Sequence, residues 1–146
     1  MTDEPAPRRI LTVCLGNYCR SPLAAAVLAQ QVGGAVEVRS AGLIGKWQDK
    51  PAHLGMIAAA AKLGYDLTAH RGTQVTIELL DWADLILAMD SSVLGKLRAL
   101  GGEQVDAKLR LYLGDEDVPD PIDQPEEVFA SCAALIKAGA ARYLPL

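Results

Sequence analysis

Short apolar runs alternate with helix-forming runs along this chain, and that alternation leaves few architectures open. Residues 8–13, "RRILTV", then "AVEVRS", "DLILAMD" and "AKLRLYL", read as strands. Between them lie helical stretches. One opens at Ser21-Pro22, with serine as N-cap and proline at the first helical position, and runs through "LAAAVLAQQV" to Gly33-Gly34. Another spans Ala52 to Leu63 and closes at Gly64; "SSVLGKLRAL" closes at Gly101. A last helix follows Pro125, with Val128, Phe129, Cys132, Leu135, Ile136 and Ala140 on one face. Strands that alternate with helices predict a parallel sheet covered on both faces, hence an α/β three-layer fold. No repeat, linker or low-complexity tract divides residues 1–146, so a single domain is expected.

At 146 residues the chain can bury roughly 70% of its unfolded surface, and a core needs no disulfide staples. The three cysteines are an odd count, and "MTDEPAPRR" lacks the apolar core of a secretory signal. A soluble protein of a reducing cytoplasm is the expectation. No apolar segment approaches the roughly 18 residues of a membrane helix, because Lys62 and Gly64 interrupt even the alanine-rich run. The net charge of -4 argues against nucleic-acid binding, which needs a clustered basic face. The two histidines, His53 and His70, are far apart, and no cysteine or carboxylate group has metal-ligand spacing, so no metal is expected.

The chemistry gathers in "CLGNYCRSP", residues 14–22, between the first strand and the first helix. In an open α/β sheet, ligands bind beyond the carboxyl ends of the strands, where this loop lies. A loop turning sharply into a helix aims backbone N–H groups at one point, and the helix N-terminus adds positive charge, which together suit a tetrahedral oxyanion. Gly16 permits the turn, and Asn17 tolerates a left-handed backbone. Arg20 can grip two phosphate oxygens at once, as lysine cannot. The same positive surroundings favour a thiolate at Cys14, and Ser21 can steady it. Cys132, on the apolar stripe of the last helix, reads as a small core hydrophobe. The nucleotide-binding loops Gly-x4-Gly-Lys-Ser/Thr and Gly-x-Gly-x2-Gly are absent. A leaving oxygen needs a proton donor, and the acidic stretch "GDEDVPDPIDQP" offers Asp115, Glu116, Asp117, Asp120 and Asp123 without choosing among them.

"CLGNYCRSP" resembles the phosphate-binding loop of the low-molecular-weight protein tyrosine phosphatases. "RSAG" at 39–42, "LGYDLTAHR" at 63–71, "DLILAMD" at 84–90 and "DPI" at 120–122 extend the likeness over nearly the whole chain. The resemblance implies a four-stranded sheet of order 2-1-3-4 and hydrolysis of aryl phosphate monoesters through a phosphocysteine. Cys14 would be the nucleophile, Arg20 the clamp and Asp120 the general acid and base. Leu15, Gly16, Asn17, Tyr18, Cys19 and Ser21 would wrap the phosphate or sulfate ion, while Asn17, Ser21, Ser40 and His70 hold the loop in shape. Cys19 would trap an oxidised Cys14 as a reversible disulfide. No cofactor is implied, the expected state is a monomer, and the expected partner is a phosphotyrosine protein, a tyrosine kinase among them.

The chain departs from the family pattern in three places. Tyr18 stands where tyrosine phosphatases usually carry isoleucine and the related arginine phosphatases threonine. Ile122 follows Asp120-Pro121 where an aromatic residue usually walls the crevice. The other wall is assigned to Trp47, because the family's aromatic position falls on Lys46. The alternatives are a phosphatase for phosphoarginine or a small phosphate ester, and a non-catalytic phosphate-binding or redox-sensing module. Thiol-coupled arsenate reduction is disfavoured, since no cysteine lies between Cys19 and Cys132.

Overall fold

The computed structural model describes residues 8–32 and 34–143. Strand β1 (Arg9–Cys14) leads through the loop into helix α1 (Arg20–Val32) and strand β2 (Glu37–Gly42). Helices α2 (Leu54–Lys62) and α3 (Ile77–Trp82) precede strand β3 (Leu85–Ala88). Helix α4 (Ser91–Asp106), strand β4 (Leu109–Leu111) and helix α5 (Glu126–Gly139) complete the fold, with a 3-10 turn at Ala140–Tyr143. The four strands pair in parallel in the order β2-β1-β3-β4, as expected.

Strand β1 is central, and Ile10 to Cys14 are all buried. Its side chains alternate between two cores. Ile10 and Cys14 face the layer of α1, α2 and α5, where they join Leu23, Met56, Phe129 and Ile136. Leu11 and Val13 face α3 and α4, with Leu80, Val93 and Leu97. Burial on both faces explains why this strand reads as a continuous apolar run. Its one buried polar residue, Thr12, is satisfied by donating to the Ser21 carbonyl at 2.9 Å, which also ties the start of α1 to the sheet.

Several boundaries differ from the sequence expectation, each for a local reason. Helix α1 begins at Arg20, so Ser21 and Pro22 lie inside its first turn, where a missing proline N–H costs nothing. Ser21 is not an N-cap because its hydroxyl is engaged with Cys14 and Asn17. The end expected at Gly33 falls outside the described residues. Helix α2 starts at Leu54 because His53 caps it, its Nδ1 accepting from Gly55 N at 2.9 Å. It closes near Gly64, at φ 92°, as expected. Helix α4 kinks instead of stopping, with Gly102 at φ 69° and ψ -154°.

Helix α3 was not anticipated. Its six residues are too few for a clear period, and its signal is the Thr76 cap, which accepts from Leu79 N at 3.1 Å. On α5 the buried stripe is Phe129, Cys132, Ala133, Ile136 and Gly139, while Val128 is half-buried and Leu135 is exposed. No helix among the described residues is long and apolar enough to cross a membrane.

Candidate active site

In the order β2-β1-β3-β4, the chain leaves β1 toward one edge of the sheet and β3 toward the other, which opens a crevice at their carboxyl ends. The loop from Cys14 to Arg20 occupies that crevice, opposite the turn Met89-Asp90 that follows β3.

The loop is held from outside by its carbonyls. The oxygens of Cys14 and Leu15 accept from Leu43 N (3.1 Å) and Ile44 N (3.0 Å), and that of Tyr18 from His53 N at 3.0 Å. The Asn17 oxygen lies 2.9 Å from His70 Nε2. Because a trans peptide points its N–H opposite its C=O, pinning these carbonyls outward turns the loop's amides inward. The result is a nest of donors. Asn17 sits at φ 56°, and its N–H lies 3.2 Å from Cys14 Sγ. Its side chain donates to Ser21 Oγ at 2.8 Å and accepts from Thr73 N at 2.9 Å, bracing the loop to two elements. Ser21 Oγ stands 3.0 Å from Cys14 Sγ. While it accepts from Asn17, the hydroxyl can donate its one proton either to the sulfur or to the Ala41 carbonyl at 3.4 Å.

His70 meets the loop at the Asn17 carbonyl. Burial pushes its imidazole below the ordinary range, so it is neutral at pH 7 and donates Nε2–H to the Asn17 carbonyl. Ser40 makes no side-chain hydrogen bond to the loop among the described residues. On β2 it pairs with Thr12 of β1, and it lines a separate groove beside α1 together with His70. The support from β2 comes instead from Gly42, which the sequence reading had not assigned. A Cβ on Gly42 would lie 2.5 Å from the Gly16 carbonyl carbon and 2.6 Å from Asn17 N. Only a glycine lets the loop rest directly on the strand. Gly42→Ala is therefore expected to destabilise the fold by about 1–3 kcal/mol, read as a lower urea midpoint, and to weaken inorganic phosphate binding in calorimetric titration.

Arg20 is buried and joins the two sides of the crevice. Its Nη1 donates to Asp90 Oδ2 and to the Val118 carbonyl, both at 2.8 Å. Its Nη2 lies 3.7 Å from Asp120 Oδ2. With Nη1 committed, Nε and Nη2 are the pair left to face an oxyanion. Burial opposes the guanidinium charge, but Cys14, Asp90 and Asp120 outweigh it and raise the pKa above its ordinary value. Asp90, also absent from the sequence reading, caps α4 through Val93 N at 2.8 Å with its other oxygen. Burial works against its charge, yet these partners hold its carboxyl below the usual carboxylate range. Its signal was the Asp-Ser-Ser run after an apolar strand, a cap in sequence whose second role needs the fold.

A cavity of about 240 Å³ lies over Cys14, lined by Leu15, Gly16, Tyr18, Cys19, Arg20, Ile44, Lys46, Trp47, Asp120 and Ile122. Of the five carboxylates left open by the sequence, Asp120 is the one that lines it. Trp47 stacks on Tyr18, with ring centroids 4.5 Å apart and an 8° interplanar angle. It also lies so close to Gly16 that a Cβ there would overlap its ring, at 2.3 Å. His53 meets Tyr18 edge-on and stacks on Phe129, so the wall is the end of an aromatic column that runs to α5. The bulky phenol at position 18 is thus part of the wall.

All three cysteines are free thiols, buried in one cluster. Burial, with help from the Asp120 charge, pushes the Cys19 thiol well above its ordinary range. Burial likewise pushes Cys132 up to about 12. Cys132 is a core residue as expected, but it also lies 3.6 Å from the Pro119 carbonyl, beside Asp120. Among the described residues, no three His, Cys, Asp or Glu side chains form a group that could hold a metal ion.

Comparison with known proteins agrees with this geometry. EpsP of Ralstonia solanacearum, by name a low molecular weight protein-tyrosine-phosphatase, is 35% identical over 139 residues, 94% of each chain. The protein-arginine-phosphatase of Geobacillus stearothermophilus is 36% identical over 128 residues, 84% of each. The solved structure of Vibrio vulnificus Wzb in complex with benzylphosphonate superposes with a TM-score of 0.87 at 31% identity, covering 92% of this chain and 95% of that one. The model of the family described as low molecular weight phosphotyrosine protein phosphatase matches residues 9–145, and the chain belongs to that family.

Proposed function

We propose that this protein hydrolyses phosphotyrosine in proteins, and other aryl phosphates, through a phosphocysteine. One observation carries the reading: Cys14 Sγ lies at the floor of a loop whose amides point inward, with Arg20 and Asp120 across the same cavity. In the first step the Cys14 thiolate attacks phosphorus in line. The bond from phosphorus to the aryl oxygen breaks, and Asp120 gives that oxygen its proton. In the second step water loses a proton to Asp120 and attacks phosphorus, and Cys14 leaves as a thiolate steadied by Ser21 and Asn17. Loop amides and Arg20 hold the equatorial oxygens throughout, a fixed set of donors that need not reorganise.

The aryl preference rests on the cavity walls. Tyr18 and Trp47 offer a flat aromatic surface, and Ile44 and Ile122 add apolar wall beside Lys46. A tyrosine kinase or another phosphotyrosine protein is the proposed substrate, and the enzyme is proposed to act as a monomer in a reducing cytoplasm. Redox protection fits the same loop. Peroxide would convert Cys14 to a sulfenic acid, and the Cys19 thiol would condense with it, forming a disulfide and releasing water.

The test is phosphate release from phosphotyrosine and phosphoarginine by wild type and Asp120→Asn. Wild type is expected to prefer phosphotyrosine, and Asp120→Asn to lower its kcat/KM by about 10²- to 10⁴-fold. Faster release from phosphoarginine would overturn the aryl assignment. Release from neither substrate, with phosphate still bound, would make the loop a binding or sensing module.

A further inference from the structure

The backbone leading to Asp120 is pinned residue by residue. Asp117 Oδ1 accepts two hydrogen bonds from Ser91, from its N–H at 2.8 Å and its hydroxyl at 2.7 Å. Val118 N donates to the Met89 carbonyl at 2.8 Å, and its own carbonyl accepts from Arg20. The Pro119 carbonyl accepts from the Cys132 thiol. Prolines 119 and 121 flank the acid, restricting their own φ and keeping Val118 and Asp120 out of the helical region.

Of these anchors, Asp117 is the one made by a side chain of the loop itself, and its partner is the first residue of α4. Asp90, at the same helix end, holds Arg20. The start of α4 is therefore a common anchor for the phosphate clamp and for the acid loop, and two carboxylates there also suit the positive end of the helix. We propose that Asp117 is a positioning residue for the general acid: through Ser91 it fixes the loop that aims Asp120 at the leaving oxygen. This rests on Asp120 being the acid, and it makes a prediction that a role in stability alone does not. A misaimed acid matters where the leaving group needs a proton and matters little where it leaves readily as an anion.

The experiment compares kcat/KM for phenyl phosphate and p-nitrophenyl phosphate, with inhibition by inorganic phosphate as a control on the binding loop. Asp117→Ala is expected to lose about tenfold on phenyl phosphate and no more than about twofold on p-nitrophenyl phosphate, with phosphate inhibition unchanged. Ser91→Ala, which keeps the N–H bond, is expected to show the same pattern more weakly. Asp117→Asn, whose amide oxygen still accepts from Ser91, is expected to recover most of the loss. In an Asp120→Asn background Asp117→Ala is expected to add nothing, since there is no acid left to aim. Equal losses on the two substrates, or full additivity with Asp120→Asn, would overturn the proposal. If Asp120→Asn alone leaves phenyl phosphate hydrolysis intact, the acid assignment itself fails and the positioning role falls with it.

Discussion

Cys14→Ser is expected to lower kcat on phosphotyrosine by at least about four orders of magnitude while inorganic phosphate still binds. The proposed nucleophile is a thiolate at this sulfur, which Asn17 N–H faces at 3.2 Å and Ser21 Oγ at 3.0 Å, and the site offers no base to deprotonate an alcohol in its place. His70 is committed to the Asn17 carbonyl, and Asp120 serves the leaving oxygen in the proposed mechanism. A serine hydroxyl would therefore stay protonated and make a poor nucleophile. Phosphate binding depends on the loop amides and Arg20, which the substitution leaves in place. Acid quench during turnover, followed by phosphorus NMR, should show a phosphocysteine in wild type and none in the variant. Retention of more than about one hundredth of the wild-type rate would place the nucleophile elsewhere.

Arg20→Lys is expected to cost about 10³-fold in kcat/KM although the charge is kept. The arginine serves two masters at once. Its Nη1 ties Asp90 to the Val118 carbonyl, while its remaining donors are left for the oxyanion in the proposed mechanism. A single ammonium cannot do both. If lysine reaches Asp90, the phosphate loses its forked partner; if it reaches the phosphate, a capping carboxylate and a carbonyl lose theirs in a largely buried place. The loss should therefore appear both in phosphate inhibition, which weakens, and in a lower unfolding temperature. A variant with wild-type thermal stability and wild-type phosphate affinity would show that the fork geometry is not used.

Much of this arrangement could be read before the fold was known, because the parts that carry it are local. The unit of strand, loop and helix is continuous in the chain, so Cys14, Gly16, Asn17, Arg20 and Ser21 could be placed around one point from residues 14–21 alone. The alternation of apolar runs set the sheet and its covering helices for the same reason, since strand and helix periods are properties of short windows. The acid was not legible on those terms: five carboxylates share one loop, and their distances to the cavity depend on how that loop crosses the crevice.

Contacts between distant segments account for the remaining differences. Asp90 had no role assigned in the sequence, where it only ends the segment "DLILAMD"; the sheet order brings β3 beside β1, so that one of its oxygens meets Arg20 while the other caps α4. Gly42 is one more strand residue until the Gly16 backbone is seen resting on it. Tyr18 and Trp47 are separate departures from a pattern in the sequence and one stacked wall in the structure. By itself the sequence placed Cys14 and Arg20, the proposed nucleophile and clamp, in one loop and set the layered α/β frame, because backbone turning and side-chain periodicity act over a few residues. Only the tertiary structure decided which carboxylates meet Arg20 and the acid loop and what walls the cavity, because those are distances between residues far apart in the chain, as Arg20 is from Asp90 and Asp120.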